Sequence, residues 1–408
     1  MFRGPRLWAE VRRKRSGVST AGRAQGTASP WLPLARSRWV LCRFPLPPRT
    51  RPTRSPPPIR RYYGLDRARA KGYTGKGVTI AMIDGRVDTS VPELAGANIS
   101  VTIPCTITAV SRTVNHGTGV VSILVAPGYG VAPDAALLAY QLSFGKNGDV
   151  AAHDCADSAA TRITEDWLLN QAMNDGAQVI NYSASSVAGA NRVKWAVARS
   201  ISSGVIVVAS AGNDGNDNDV ESLSKWSGVV SVSAIGVDDS RQDYSSWGQG
   251  VVTALIGGPF SFRDLVSGEV KQSSGTSYAA PVVTGVLALA KQRWPEAISN
   301  QLLQLLVKTG LNPDHGWNQY TGFGAIDPGA ILNTDPSQFP DENPLIEKQG
   351  GSSPTQEDVQ QYVDGVVDPA EIDNDNSYTY RGLDESKVGN WQNVYQTHLG
   401  TSPRYHQK

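Results

Sequence analysis

The strongest constraint on this 408-residue chain is a repeated exchange of short apolar runs with longer amphipathic ones. Val78–Ile83, Ala136–Leu142, Gln178–Tyr182, Val205–Ala209 and Val229–Ala234 are too short for helices and show little polar alternation. That is the pattern of strands buried on both faces. Helical stretches lie between and after them: Gly117–Val125, Thr164–Asn174, Arg192–Ser202, Ser277–Arg293 and Gln301–Lys308. Such alternation implies an α/β fold in three layers, a parallel sheet with helices on both faces. Reactive groups in these folds gather at the carboxyl ends of the strands.

The alternation occupies residues 62–333, and composition sets its two flanks apart. Residues 1–61 hold 15 Lys and Arg against a single acid, Glu10, and 10 of the 25 prolines. A segment this polar cannot bury enough apolar surface to offset its ordering entropy, so disorder is expected there. Its Arg-rich, acid-poor character also fits an organelle transit peptide, a nucleic-acid-binding arm, or translation begun upstream of the working protein. It has no apolar core of the kind a secretory signal needs. Residues 334–408 are acidic, with 13 Asp and Glu against 5 Lys and Arg. An irregular tail is expected, with one short helix near Gln356–Val363. The middle segment carries most of the apolar residues, which make up 40% of the chain, and suits a large buried core. The three cysteines do not form a disulfide framework; Cys105 and Cys155 would pair in an exported protein, and two unpaired thiols are the default reading. No apolar run reaches the length of a membrane span.

Three local motifs carry chemistry. In TIAMIDGRVD an apolar strand ends in Asp84, where a carboxylate can be buried and held; Asp88 competes for the role, and a turn or cap residue is the ordinary alternative. In NHGTGVVSILVA, His116 precedes a glycine and an apolar helix, a frame that the other four histidines lack. In SSGTSYAAPVVTGVLALA, Ser277 opens a long apolar helix. A serine there is either a cap or a nucleophile whose developing oxyanion faces the positive helix end. A fourth motif, VIVVASAGNDG, runs a strand into Asn213, either a loop residue or an amide donor to an oxyanion.

Together these motifs resemble the subtilisin-like serine peptidases over about residues 62–333. Asp, His, Asn and Ser occur in that family's order, with Asp84 and His116 separated by 32 residues and His116 and Ser277 by 161. GTSYAAP, GVAP, AGNDG, VINYS and YTGFGAID (residues 320–327) match further family segments. The resemblance implies the subtilisin-like three-layer fold and serine endopeptidase activity. It implies Ser277 as nucleophile, His116 as general base, Asp84 as its partner and Asn213 in the oxyanion hole. It also implies that an extended peptide or protein substrate pairs along Val179, Ile180, Asn181, Tyr182, Ser183 and Ala184. No cofactor is required and no metal ligand set is assigned. Many relatives bind calcium, for which the oxygen-rich loop Asp214–Asp219 is a weak candidate; Asp373–Ser377 with Asp384 is weaker still. A monomer acting on peptides, without nucleic acid, is expected. Export is the family expectation, the cytoplasm the alternative.

The sequence departs from the family pattern at Gly85, where Thr or Ser is usual, at Gly119, where a second His is usual, and at Ala184 and Ser185, where Leu-Gly is usual. Asp84, Gly85, Val87 and Asp88 are also similar to peptidases that mature ribosomally made peptides. These departures leave a catalytically weak or inactive peptide-binding relative as one rival. An α/β-hydrolase is excluded by the order of the motifs and the lack of G-x-S-x-G around Ser277.

Overall fold

Each of the five apolar runs becomes a strand of one parallel sheet, and two further strands complete it. The computed structural model describes residues 59–144, 148–151, 164–184, 190–217, 223–314, 316–348, 353–372, 374–382 and 398–399. The strands are β1 (Thr79–Asp84), β2 (Ile99–Thr102), β3 (Ala136–Gln141), β4 (Val179–Tyr182), β5 (Ile206–Ser210), β6 (Val230–Ile235) and β7 (Val251–Ile256). Their spatial order is β2-β3-β1-β4-β5-β6-β7. The sheet therefore grows in opposite directions from β1, whose carboxyl end is the topological switch point where such sheets open a crevice.

Side chains alternate across the sheet and meet two different cores. Ile80, Met82, Val179, Val208 and Val232 face helices α1 (Ser111–Val125) and α4 (Thr276–Arg293). Ala81, Ile83, Ile180, Tyr182, Val207 and Ala209 face α2 (Glu165–Asn174) and α3 (Ala190–Ser202). Helix α4 is buried from Thr276 to Ala290, which explains its nearly continuous apolar sequence. Helices α5 (Ser299–Lys308) and α6 (Pro328–Asn333) close the first layer. The two unanticipated strands have different causes. Strand β2 is a half-exposed edge without an apolar run, and Val251–Ile256 is short enough to be read as either element.

The described residues of the anticipated acidic tail, up to residue 382, are folded. Helix α7 (Gln356–Asp364) is started by a Thr355–Asp358 capping box and stopped by Gly365 at φ 69°. Val359, Tyr362, Val367, Ile372, Tyr378 and Tyr380 then cover Trp195 and Ala198 of α3. Polar groups lock this contact. Arg199 Nε meets Asp375 Oδ1 at 3.2 Å in a buried ion pair, and Tyr362 donates its hydroxyl proton to the other Asp375 oxygen. Buried Lys348 donates to Ser224 O at 2.8 Å and Gly250 O at 3.0 Å. Cys105 is disulfide-bonded, which corrects the expectation of unpaired thiols; the other two cysteines lie outside the described residues, as does nearly all of the basic segment 1–61.

Replacing Asp375 leaves a buried guanidinium without its counter-charge, a change that costs about 3–5 kcal/mol. Asp375→Ala is expected to lose stability on that scale in denaturant unfolding. Unchanged stability would mean that residues 353–382 do not brace the sheet-bearing body.

Candidate active site

Strand β1 delivers Asp84 to the carboxyl end of the sheet with no solvent exposure, and α1 is laid directly over it. Two glycines allow that approach. A Cβ on Gly85 would sit 2.6 Å from Thr113 O, and one on Gly117 would sit 2.4 Å from Gly85 O. The departure at Gly85 is thus a packing requirement of this chain. Helix α1 begins at Ser111, six residues earlier than its apolar pattern suggests, because its first turns are polar. His116 consequently sits on the second turn and not at the helix N-terminus.

His116 Nδ1 lies 2.8 Å from Asp84 Oδ1, and His116 Nε2 lies 2.8 Å from Ser277 Oγ. A carboxylate only accepts, so Nδ1 carries the proton and Nε2 is left to accept from the serine hydroxyl. Burial alone would depress the His116 pKa, and Arg112 adds to that effect. The charge and hydrogen bond of Asp84 outweigh both, and the net shift is upward from the usual histidine value. The imidazole is walled by Tyr278 (ring centroids 5.3 Å apart) and by the edge of Phe144 (6.3 Å). Gly119 makes room for this wall, since a Cβ there would lie 3.3 Å from the Tyr278 ring. Asp88 is not part of the cluster; its carboxylate closes a local turn onto Ser90.

Ser277 is the second residue of α4, so its N–H lies outside the intrahelical ladder. Asn213 Oδ1 accepts from Thr276 N–H at 2.8 Å, with the Thr276 hydroxyl 3.1 Å away. That fixes the amide orientation and leaves Asn213 Nδ2 as a donor beside Ser277. Ser277 Oγ and Asn213 Nδ2 both lie within 3.4 Å of where a Gly275 side chain would begin. A cleft of about 650 Å³ is lined by His116, Ser277, Asn213, Ser183, Ala184 and Phe144, among others.

The expected substrate strand needs correction. Val179–Tyr182 is β4, buried and paired on both edges, by β1 and β5. It has no free edge for a peptide. Asn181 is likewise committed, donating to Ser183 Oγ and accepting from Thr284. Only Ser183 and Ala184, beyond the strand end, reach the cleft. Sequence reasoning also missed several supporting residues. Thr276 holds Asn213, while Asn115 ties α1 to the hairpin β8 (Phe260–Arg263) and β9 (Val270–Ser273). Asn115 donates to Asp264 Oδ2 at 3.1 Å and accepts from Leu265 N–H at 2.9 Å. The Asp264 carboxyl is held well below the usual carboxylate range by the Ser267 N–H and by Lys271. The only signal for these residues was their adjacency to His116 and Ser277.

Among the described residues no group of three or more His, Cys, Asp or Glu could hold a metal ion. The loop Asp214–Asp219 and the Asp373 run extend outside the described residues. Among the described residues no helix is long and apolar enough to cross a membrane.

The sequence pattern of the subtilase family matches residues 75–324. Subtilisin E of Bacillus subtilis is 27% identical over 263 residues, 60% of this chain and 65% of that protein. The chain thus spans about 65% of the length of this curated relative. Among solved structures, the MycP3 protease of the type VII (ESX-3) secretion system is 26% identical with a TM-score of 0.56, covering 71% of this chain and 90% of that one. The prenylagaramide maturation protease PagA shares the fold at 23% identity and a TM-score of 0.53, over 66% and 97% of the two chains.

Because α1 rests on the Gly85 carbonyl, a methyl group at position 117 must displace the helix. Gly117→Ala is expected to cost about 1–3 kcal/mol by overpacking. A thermal midpoint equal to wild type would contradict the close approach.

Proposed function

The chain belongs to the subtilase family, and from that membership we propose that it is a serine endopeptidase working through a Ser277 acyl-enzyme. The observation that carries this reading is the pair of 2.8 Å contacts joining Asp84, His116 and Ser277 beside the Asn213 amide. His116 Nε2 takes the Ser277 proton as Oγ attacks the scissile carbonyl carbon. The oxyanion accepts from Asn213 Nδ2–H and the Ser277 N–H, both fixed before the reaction begins. The imidazolium is stabilised by Asp84 and passes its proton to the departing amine as the C–N bond breaks. A water then repeats the sequence in reverse roles and frees the acid product and the serine. The substrate is a peptide or protein segment running past Ser183 and Ala184 at the cleft wall.

The disulfide at Cys105 favours work in an oxidising compartment, which supports export. The similarity of Asp84, Gly85, Val87 and Asp88 to peptide-maturing enzymes favours a narrower reading, one dedicated peptide substrate. Turnover of a single sequence, with a mixed peptide library left intact, would favour it.

Hydrolysis of a mixed peptide library, followed by mass spectrometry, tests the reading. Cleavage of at least one sequence, in the library or as a single dedicated peptide, is expected from the wild type and not from Ser277→Ala; measurable cleavage at the same rate by both would sink it. Asn213→Ala is expected to lower kcat by about 10²–10³ with little change in KM, because its amide serves the transition state. A rise in KM at constant kcat would contradict that role. His116 must be neutral to accept a proton. Its raised pKa therefore places the acid limb of kcat/KM above the ordinary histidine value near 6.5, with activity lost as pH falls through it. An acid limb below that value would contradict the Asp84 contact.

A further inference from the structure

Asp84 has one incomplete interaction. Its Oδ1 accepts from both the Gly85 N–H at 2.5 Å and His116 Nδ1 at 2.8 Å, whereas its Oδ2 is buried without a hydrogen-bond partner. Unmatched buried acceptors are rare in folded proteins, and each calls for an explanation. The complementary defect lies one strand away. Gln141 ends β3, is 2% exposed, and its Nε2 is likewise buried without a partner.

The sheet register pairs Asp84 directly with Gln141. Residues paired in this way on neighbouring parallel strands project to the same face, about 4.8 Å apart across the pair. A donor lacking an acceptor therefore stands beside an acceptor lacking a donor. The other nearby groups are committed. Gly85 has no side chain. Ser183, which follows β4 on the opposite flank, gives its hydroxyl proton to Ser277 O at 3.1 Å. The Thr113 hydroxyl is engaged by Val110 O and by Asp149 Oδ1.

We propose that Gln141 is a positioning residue for the Asp84–His116 pair, its Nε2–H donating to Asp84 Oδ2. The inference rests on the triad reading given above. The amide holds the carboxylate plane, so that Oδ1 stays aligned with His116 Nδ1 through proton transfer. It also draws off part of the carboxylate charge, which sets how strongly Asp84 raises the basicity of His116. The hydrolytic position of Gln141 is indirect: it touches neither substrate nor the reacting atoms.

The test uses the full chain and a fluorophosphonate probe, with the rate of Ser277 labelling followed against pH. Among the described residues, the titratable and charged groups acting on the pair are Arg112 on α1, Tyr278 on α4 and Tyr182 on β4, and all are left intact. Gln141→Leu keeps the volume and removes the donor. Its labelling midpoint is expected to move up by about half a pH unit, since the unshared carboxylate charge favours imidazolium. Its plateau rate is expected to fall about tenfold through lost alignment. Gln141→Lys supplies a charged donor; its midpoint is expected to move down, with the plateau restored to within about threefold of wild type. Coincident profiles for wild type and Gln141→Leu, or midpoints that move the same way in both variants, would overturn the proposal. If the leucine variant does not fold, Gln141→Met replaces it, and a lysine variant without the downward shift is then decisive against. Failure of the wild type itself to label Ser277 would remove the triad reading, and this inference with it.

Discussion

The hydrogen bond between a fully buried Asp84 and a part-exposed His116 is the interaction on which the rest of the site depends. An isolated carboxylate in a protein interior is strongly disfavoured and persists only with partners. Here the partners come from the Gly85 N–H and the imidazole. The imidazole can reach the carboxylate only because Gly85 and Gly117 let α1 rest on the end of β1. Once the ring is held, its remaining nitrogen points at the first turn of α4. Local backbone chemistry, helix packing and proton transfer are thus one geometric problem solved at the switch point of the sheet.

The remaining elements keep that geometry still. Asn213 is held by the backbone and hydroxyl of Thr276, so the oxyanion donor and the nucleophile share a single support. Asn115 joins the helix bearing His116 to the hairpin that walls the cleft. On the far layer, Val359, Tyr362, Val367, Ile372, Tyr378 and Tyr380 cover α3 beside the Arg199–Asp375 pair. Lys348 ties the same region to the segment preceding β6 and to the start of β7. The described part of this C-terminal region, up to residue 382, packs on the body.

The site was legible in the sequence because each reactive residue sits at the end of a local signal. Asp84 closes an apolar strand, His116 precedes a glycine in a helical frame, and Ser277 opens a buried helix. What the sequence hid was relational. The run Val179–Tyr182 reads as a strand, but nothing local tells which edges are taken, and both are. The C-terminal layer was hard to read because its core is built of scattered residues, Val367, Ile372, Tyr378 and Tyr380, without a common period, joined to a helix contributing only Val359 and Tyr362. The pairing of Gln141 with Asp84 is a matter of register between strands 57 residues apart, and periodicity cannot supply it.

The most direct test of the account is the tautomer of His116, read by nitrogen-15 NMR of the labelled full chain. Asp84 accepts only, so the account predicts that neutral His116 carries its proton on Nδ1, and that it titrates above the ordinary histidine value. A neutral ring protonated on Nε2, or one titrating below that value, would contradict the coupling of Asp84, His116 and Ser277 from which the whole functional reading is drawn.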